Sequence, residues 1–124
     1  SARAVFHNNQ GVSHLNGGDI ERAEFEFKTA AELAPEYCEA YNNLGIVYKL
    51  KGQFEQAIIY FKRAIEIDKN YASAYNHMGA VYLAKKDTDY AIKYIKKAIK
   101  KVGLYWGLAL RLHQGGAKAF WGKV

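Results

Sequence analysis

Residues Cys38–Tyr71 read CEAYNNLGIVYKLKGQFEQAIIYFKRAIEIDKNY. The next 34 residues say nearly the same thing, ASAYNHMGAVYLAKKDTDYAIKYIKKAIKKVGLY. The preceding 34, from Ala4 to Tyr37, give a looser version, AVFHNNQGVSHLNGGDIERAEFEFKTAAELAPEY. A fixed period of this length marks a protein made by stacking one unit on copies of itself. In register, Gly11 recurs as Gly45 and Gly79. Three residues on come His14, Tyr48 and Tyr82, and four residues before come His7, Tyr41 and Tyr75. Ala23, Ala57 and Ala91 recur, followed four residues later by Phe27, Phe61 and Ile95. Ala30, Ala64 and Ala98 close each block. Small residues let two helix backbones approach, and large ones fill the space beside them.

Each block predicts two helices joined by a tight turn. The first helices are expected at 4–16, 39–50 and 73–84, where apolar residues recur at helical spacing. The second helices are expected at 20–33, 54–67 and 88–102. Asn16-Gly17-Gly18-Asp19 and Lys51-Gly52-Gln53 are turns by composition. Lys85-Lys86-Asp87 lacks the glycine, so a looser turn is expected there. Ala34-Pro35 ends a helix, because Pro disfavours helical geometry in the residue before it. No such helix can bury its stripe alone, so neighbouring blocks must supply the other wall.

At 124 residues the chain holds one domain at most, with a modest core. The single Cys38 forms no disulfide within the chain, so packing must carry the stability. Its apolar runs fall short of the roughly 20 residues a membrane helix needs. No secretory signal opens the chain, which favours the cytoplasm over secretion. It begins with Ser rather than Met, as a fragment of a longer protein would. The net charge of +6 is unevenly spread: residues 1–39 carry three basic and seven acidic side chains, and residues 40–124 fifteen and five. The lysines from Lys93 to Lys101 alternate with Ile92, Ile95, Ala98, Ile99 and Val102, as on an amphipathic helix with a solvated basic face.

The residues resemble the tetratricopeptide repeat family, whose pattern is W-x2-L-G-x2-Y, then A-x3-F, then A and P. The central block matches with Tyr41-x2-Leu44-Gly45-x2-Tyr48, Ala57-x3-Phe61 and Ala64, and departs at Lys69, where the family has Pro. The first block has Ala23-x3-Phe27, Ala30 and Pro35, with His7, Gln10 and His14 in the Trp, Leu and Tyr places. The third keeps Tyr75, Met78, Gly79, Tyr82, Ala91 and Ala98, with Ile95 for Phe and Gly103 for Pro. The resemblance implies an all-α, right-handed superhelical solenoid with motifs at 4–37, 38–71 and 72–105. It implies that first helices line a concave groove and second helices form the convex back. Residues 104–124 do not fit the pattern. They carry four aromatics, three basic residues and no acid, and read as a capping segment or a non-native end. Leu104, Leu108 and Leu112 have the spacing to pack on the last helix, and Gly115-Gly116 would break it.

Nothing in the chain has the pattern of a catalytic site, and no enzyme activity or cofactor is expected. His7 and His14 occupy packing positions rather than a metal-binding pair with a spacing of four, so no metal is expected. Cys38 reads as a plain thiol.

The paired amides Asn8-Asn9 and Asn42-Asn43, with Asn76-His77 in the third block, are the candidate site. Asn is a mediocre helix former, and packing does not ask for two adjacent amides. Its donors and acceptor can pair with the backbone of an extended peptide. Such a ladder resembles the asparagine-lined groove of some family members, which implies Asn9, Asn43 and His77 as its rungs. Val12, Ile46 and Ala80, with Lys49 and Leu50, complete the expected groove, and Val5, Glu39, Ser73, Leu83 and Ala84 extend it. A protein or peptide partner is expected, held at about micromolar affinity, near −8 kcal/mol. Co-chaperone members grip acidic heat-shock tails with a clamp of Lys, Asn, Asn, Lys and Arg. The matching positions are Asn8, Val12, Asn43, Ser73 and His77, and only Asn43 agrees, so that ligand is not expected. Two alternatives stand beside the groove: a homo-oligomer joined through the last block and tail, and a nucleic-acid or anionic-lipid binder using the lysines of 85–101.

Overall fold

The computed structural model describes residues 1–112, with side chains described as far as Gly103. The expected contacts of Leu104, Leu108 and Leu112 and the break at Gly115-Gly116 lie outside the described side chains and residues. The helices are α1 (Ala2–Asn16), α2 (Ile20–Leu33), α3 (Cys38–Leu50), α4 (Phe54–Ile67), α5 (Ala72–Ala84) and α6 (Thr88–Leu112), and no strand occurs among the described residues. The protein is an all-α helical solenoid of three hairpins. None of the described helices is long and apolar enough to cross a membrane.

Each hairpin closes on one contact. Gly45 on α3 lies against the ring of Phe61 on α4 so closely that an added Cβ would sit 2.4 Å from Phe61 Cε1. The same distance separates a Cβ built on Gly11 from Phe27, and Gly79 meets Ile95 at 2.6 Å. Phe27 and Phe61 are both fully buried. Only glycine permits this approach, and the alanines at the facing positions, Ala23, Ala57 and Ala91, are likewise fully buried.

Between hairpins, Ala40, Leu44 and Val47 of α3 and Ala74, Met78 and Val81 of α5 pack on the preceding pair and are at most 1% exposed. A polar cluster adds to the first junction. Glu24 on α2 accepts from Tyr48 Oη at 3.1 Å, pairs with Lys28 Nζ at 2.8 Å, and meets Lys51 Nζ. Burial alone would raise this carboxyl, but the bonds from Lys28, Lys51 and Tyr48 outweigh it and bring it down to about 2. At the second junction the corresponding pair is Lys85 with Glu55.

The stack curves. The first helices touch one another across junctions, α1 with α3 and α3 with α5. The second helices do not: no contact joins α2 to α4 or α4 to α6 among the described residues. The α1–α3–α5 row therefore forms the inner wall and the α2–α4–α6 row the splayed outer one.

The turns correct one expectation. Lys86 takes φ 64° in the position where Gly18 has 83° and Gly52 76°. Its turn is as tight as theirs. Asp87 N–H donates to Tyr82 O at 2.8 Å, as Gln53 N–H does to Tyr48 O at 2.9 Å and Asp19 N–H to His14 O at 2.9 Å. This is a Schellman closure, whose hydrogen bonds force the left-handed residue whatever side chain it carries. At Lys69, the Pro of the pattern is replaced by local bonding: Asp68 Oδ1 accepts from Asn70 N–H at 3.0 Å and holds the turn. α6 also runs on to Leu112, past the Val102 expected from the block length.

Two stability measurements check these contacts. Gly45→Ala gains about 1 kcal/mol of helix propensity but should lose about 1–3 kcal/mol to the clash, a net fall in Tm that Phe61→Leu partly reverses. Lys86→Gly should raise stability by about 1 kcal/mol in urea unfolding, because it removes the left-handed strain.

Candidate functional site

The inner wall offers a row of half-exposed apolar residues at one repeat position, Val12, Ile46 and Ala80. Beside them stand the exposed Val5 (45%), Leu50 (54%) and Leu83 (52%). Lys49 is half-buried at the same wall, and Asn9 is exposed. These positions follow from helix geometry: residues three and four apart share a face, and the buried faces of α3 and α5 are taken by Leu44 and Val47 and by Met78 and Val81.

The amides divide in a way the sequence did not reveal. Asn8 is fully buried, Asn42 is 3% exposed and Asn43 8%. Asn43 Nδ2 donates to Asn8 Oδ1 at 2.9 Å across the α1–α3 junction. Asn42 Nδ2 reaches Ser73 Oγ at 3.4 Å across the α3–α5 junction. The fifth residue of the first two blocks thus points along the stack toward the next first helix, not into the groove. Asn8 and Asn42 are removed from the expected groove on this ground: they are packed between helices and cannot meet a ligand. Asn76 has the same register but no following helix among the described residues, and it is exposed.

Asn8 Nδ2 and Asn42 Oδ1 have no hydrogen-bond partner among the described residues. The Tyr37 hydroxyl is a near polar neighbour of Asn8.

The sixth residues differ among themselves. Asn9 is open, Asn43 is tethered by one amide hydrogen, and His77 is half-buried. His77 stacks on Phe61, with centroids 5.6 Å apart and planes 11° from parallel, a contact the sequence did not announce. Burial, with the Lys49 ammonium nearby, holds His77 below its ordinary value, so the ring is neutral at pH 7.

The other candidates are structural. His7 Nδ1 meets Glu26 Oε2 at 2.6 Å and fixes α1 to α2. Cys38 Sγ donates to Ala64 O at 3.2 Å, and burial pushes the thiol up to about 11, so it is an unreactive thiol at neutral pH. No three His, Cys, Asp or Glu side chains converge as metal ligands would among the described residues.

Three family profiles, each described as tetratricopeptide repeat, match residues 4–37, 38–71 and 60–93. The third match straddles the second junction rather than following the block boundaries. Among solved structures the chain is similar to two crystal structures of MamA. One is 29% identical with TM-score 0.78, over 84% of this chain and 61% of that one. The other is 31% identical with TM-score 0.73, over 79% and 54%. The chain therefore spans little more than half the length of these structures. The TPR2B domain of yeast Sti1, in its pHsp70 complex, is 25% identical with TM-score 0.78, over 82% of this chain and 81% of that one. No functionally curated protein matches the sequence.

A double-mutant cycle tests the buried amide pair. Asn43→Ala leaves Asn8 Oδ1 buried without a donor and should cost about 1–3 kcal/mol. Asn8→Ala added to it should cost less than the two single changes together, with a coupling of about 1 kcal/mol in denaturant unfolding.

Proposed function

Because this chain belongs to the tetratricopeptide repeat family, we propose that it is a protein-interaction scaffold holding a short segment of a partner along its inner wall. The observation that carries this reading is the wall itself. Val12, Ile46 and Ala80 form a continuous apolar row left half-exposed in an otherwise close-packed stack. Asn9 and the His77 rim supply polar groups along its edge, with the largely buried Asn43 behind them and the Lys49 charge near His77. A segment with small apolar side chains fits such a wall, held by shape and by bonds between its backbone and the amides. The Sti1 domain, whose structure is a pHsp70 complex, supports a peptide as the class of ligand. At the heat-shock clamp positions, however, this chain has Asn8, Val12, Ser73 and His77. Asn8 is buried and none of the four is a cation at pH 7, so an acidic carboxy-terminus is not the segment proposed.

The test is selection of peptides from a displayed library against the full chain, followed by affinity measurements on variants. Selected peptides should bind with Kd on the order of micromolar. Leu50→Glu with Leu83→Glu should weaken them at least tenfold, since both side chains stand open on the wall and neither supports the core. Ile59→Glu on the outer wall, 64% exposed, should leave them unchanged. Equal binding by wild type and the double variant overturns the assignment.

A further inference from the structure

On the outer wall the second helices splay, and the first helix of the following hairpin lies beneath the gap. At the junction of the second and third hairpins this gap holds a pocket of about 240 Å³. Ile65 of α4, Tyr75 and Met78 of α5 and Tyr94 of α6 line its inside, and Met78 is fully buried. The Tyr75 hydroxyl donates to Lys69 O at 3.1 Å, which ties it to the α4–α5 loop. Lys62 and Glu66 stand exposed on one wall and Lys97 on the other.

The same register at the first junction is neutralised by the chain itself. Lys28, the counterpart of Lys62, pairs with Glu24 at 2.8 Å. Arg63, the counterpart of Lys97, lies over the Tyr41 ring and meets Glu66 at 3.4 Å, with Glu36 nearby. One period later these acids are gone: Ile58 stands for Glu24, Lys100 for Glu66 and Asn70 for Glu36. Lys97 lies over the Tyr94 ring at 5.3 Å and Lys101 over Tyr75 at 5.8 Å. No carboxylate pairs with Lys62, Lys97 or Lys101 among the described residues. Residues 90–124 contain no acid. Of the two acids near the pocket, Glu66 is engaged by Arg63, and Asp68 accepts from Asn70 N–H in the turn.

Size and charge together define the occupant. The pocket is smaller than the roughly 300–1,000 Å³ of small-molecule sites, and it suits one apolar side chain of a longer ligand. Three cations around it favour carboxylates on either side of that anchor. Nucleic acid would need open aromatic faces for its bases, but Tyr94 is stacked on Tyr82 at 5.4 Å and covered by Lys97, and Tyr75 is 7% exposed. The exposed Phe25 of a second copy has Arg22 and Lys28 on its own helix face, so it would bring cations against cations. We propose that this outer groove is a second interaction surface, which holds an acidic segment of a partner protein with one apolar side chain seated against Met78 and its flanking carboxylates on Lys62 and Lys97. It lies on the opposite wall from the inner-wall surface and does not depend on it.

The experiment is an anisotropy titration of the full chain with a short labelled peptide carrying glutamates around one central leucine. At low salt it should bind with Kd of about 10–100 µM, and at least tenfold more weakly with serine for the leucine or lysine for the glutamates. Lys62→Glu with Lys97→Glu should weaken binding at least tenfold. The same charge change at Lys96 and Lys100, exposed but outside the pocket, should alter it by less than about threefold. Leu50→Ser with Leu83→Ser on the inner wall should leave it unchanged, which separates this surface from the other. Absent binding, equal loss from the two lysine pairs, or indifference to the leucine would overturn the proposal. So would a single-stranded oligonucleotide bound as tightly through Lys62 and Lys97, which would make nucleic acid the ligand. Self-association in sedimentation that Lys62→Glu with Lys97→Glu abolishes would make another copy the occupant, and tighter peptide binding once residues 113–124 are removed would make it the chain's own segment; either result also overturns it.

Discussion

The contact on which the structure depends is a ring lying on bare backbone. Phe27 on Gly11 and Phe61 on Gly45, with Ile95 on Gly79, bring the two helices of each hairpin closer than a Cβ at the glycine would allow. Dispersion falls off steeply with separation, so a close approach over a whole ring yields many good contacts at once. The rest of the core is arranged around it. Alanines at the facing positions keep the second helix near, and larger residues at Leu44, Val47, Met78 and Val81 are left for the joints between hairpins. Hairpins are thus the rigid units, and the solenoid is their repetition.

That division explains where polar groups appear. Within a hairpin the interface is tight and mostly apolar, with His7 and Glu26 the exception in the first. Between hairpins it admits hydrogen bonds, because two first helices meet edge to edge along the inner wall. Asn43 with Asn8, and Asn42 with Ser73, are bonds of this kind, and the Glu24 cluster with Tyr48 and Lys51 is their counterpart at the helix ends. Buried amides and carboxylates are costly unless paired, so they favour one register of stacking over neighbouring alternatives. The inner wall is then a by-product of the joints. What the joints do not use, Val12, Ile46, Ala80, Asn9 and the rim of His77, is left exposed or half-exposed.

Stacking also makes position along the chain matter in a way that residue type does not. Asn42 and Asn76 occupy the same register, yet one is buried and the other open, only because α5 follows the first. Ile58 and Ile92 differ for the same reason. In a protein whose contacts are all to nearest neighbours, the ends are the places where interior surfaces become available.

The period, the helix pairs, the turn positions and the small-to-large pattern were legible in the sequence, because each depends on local spacing: 34 residues, a glycine, a ring and an alanine in fixed order. So was the repeat position shared by the half-exposed Val12, Ile46 and Ala80. The destination of the adjacent amides was not. Asn8 and Asn9 are chemically identical neighbours on one helix, and about 100° of rotation separates a buried joint from an open wall. Only the angle at which α3 crosses α1 assigns them, and that angle is set by side chains distant in sequence. Lys86 shows the converse. Composition suggested a loose turn, but the hydrogen bonds of a helix end held a lysine in the left-handed conformation as firmly as glycine. Sequence alone determined the repeated hairpin, since its contacts lie within one period. Tertiary structure decided which polar groups join the hairpins and which remain exposed, since that depends on how separate periods meet in space.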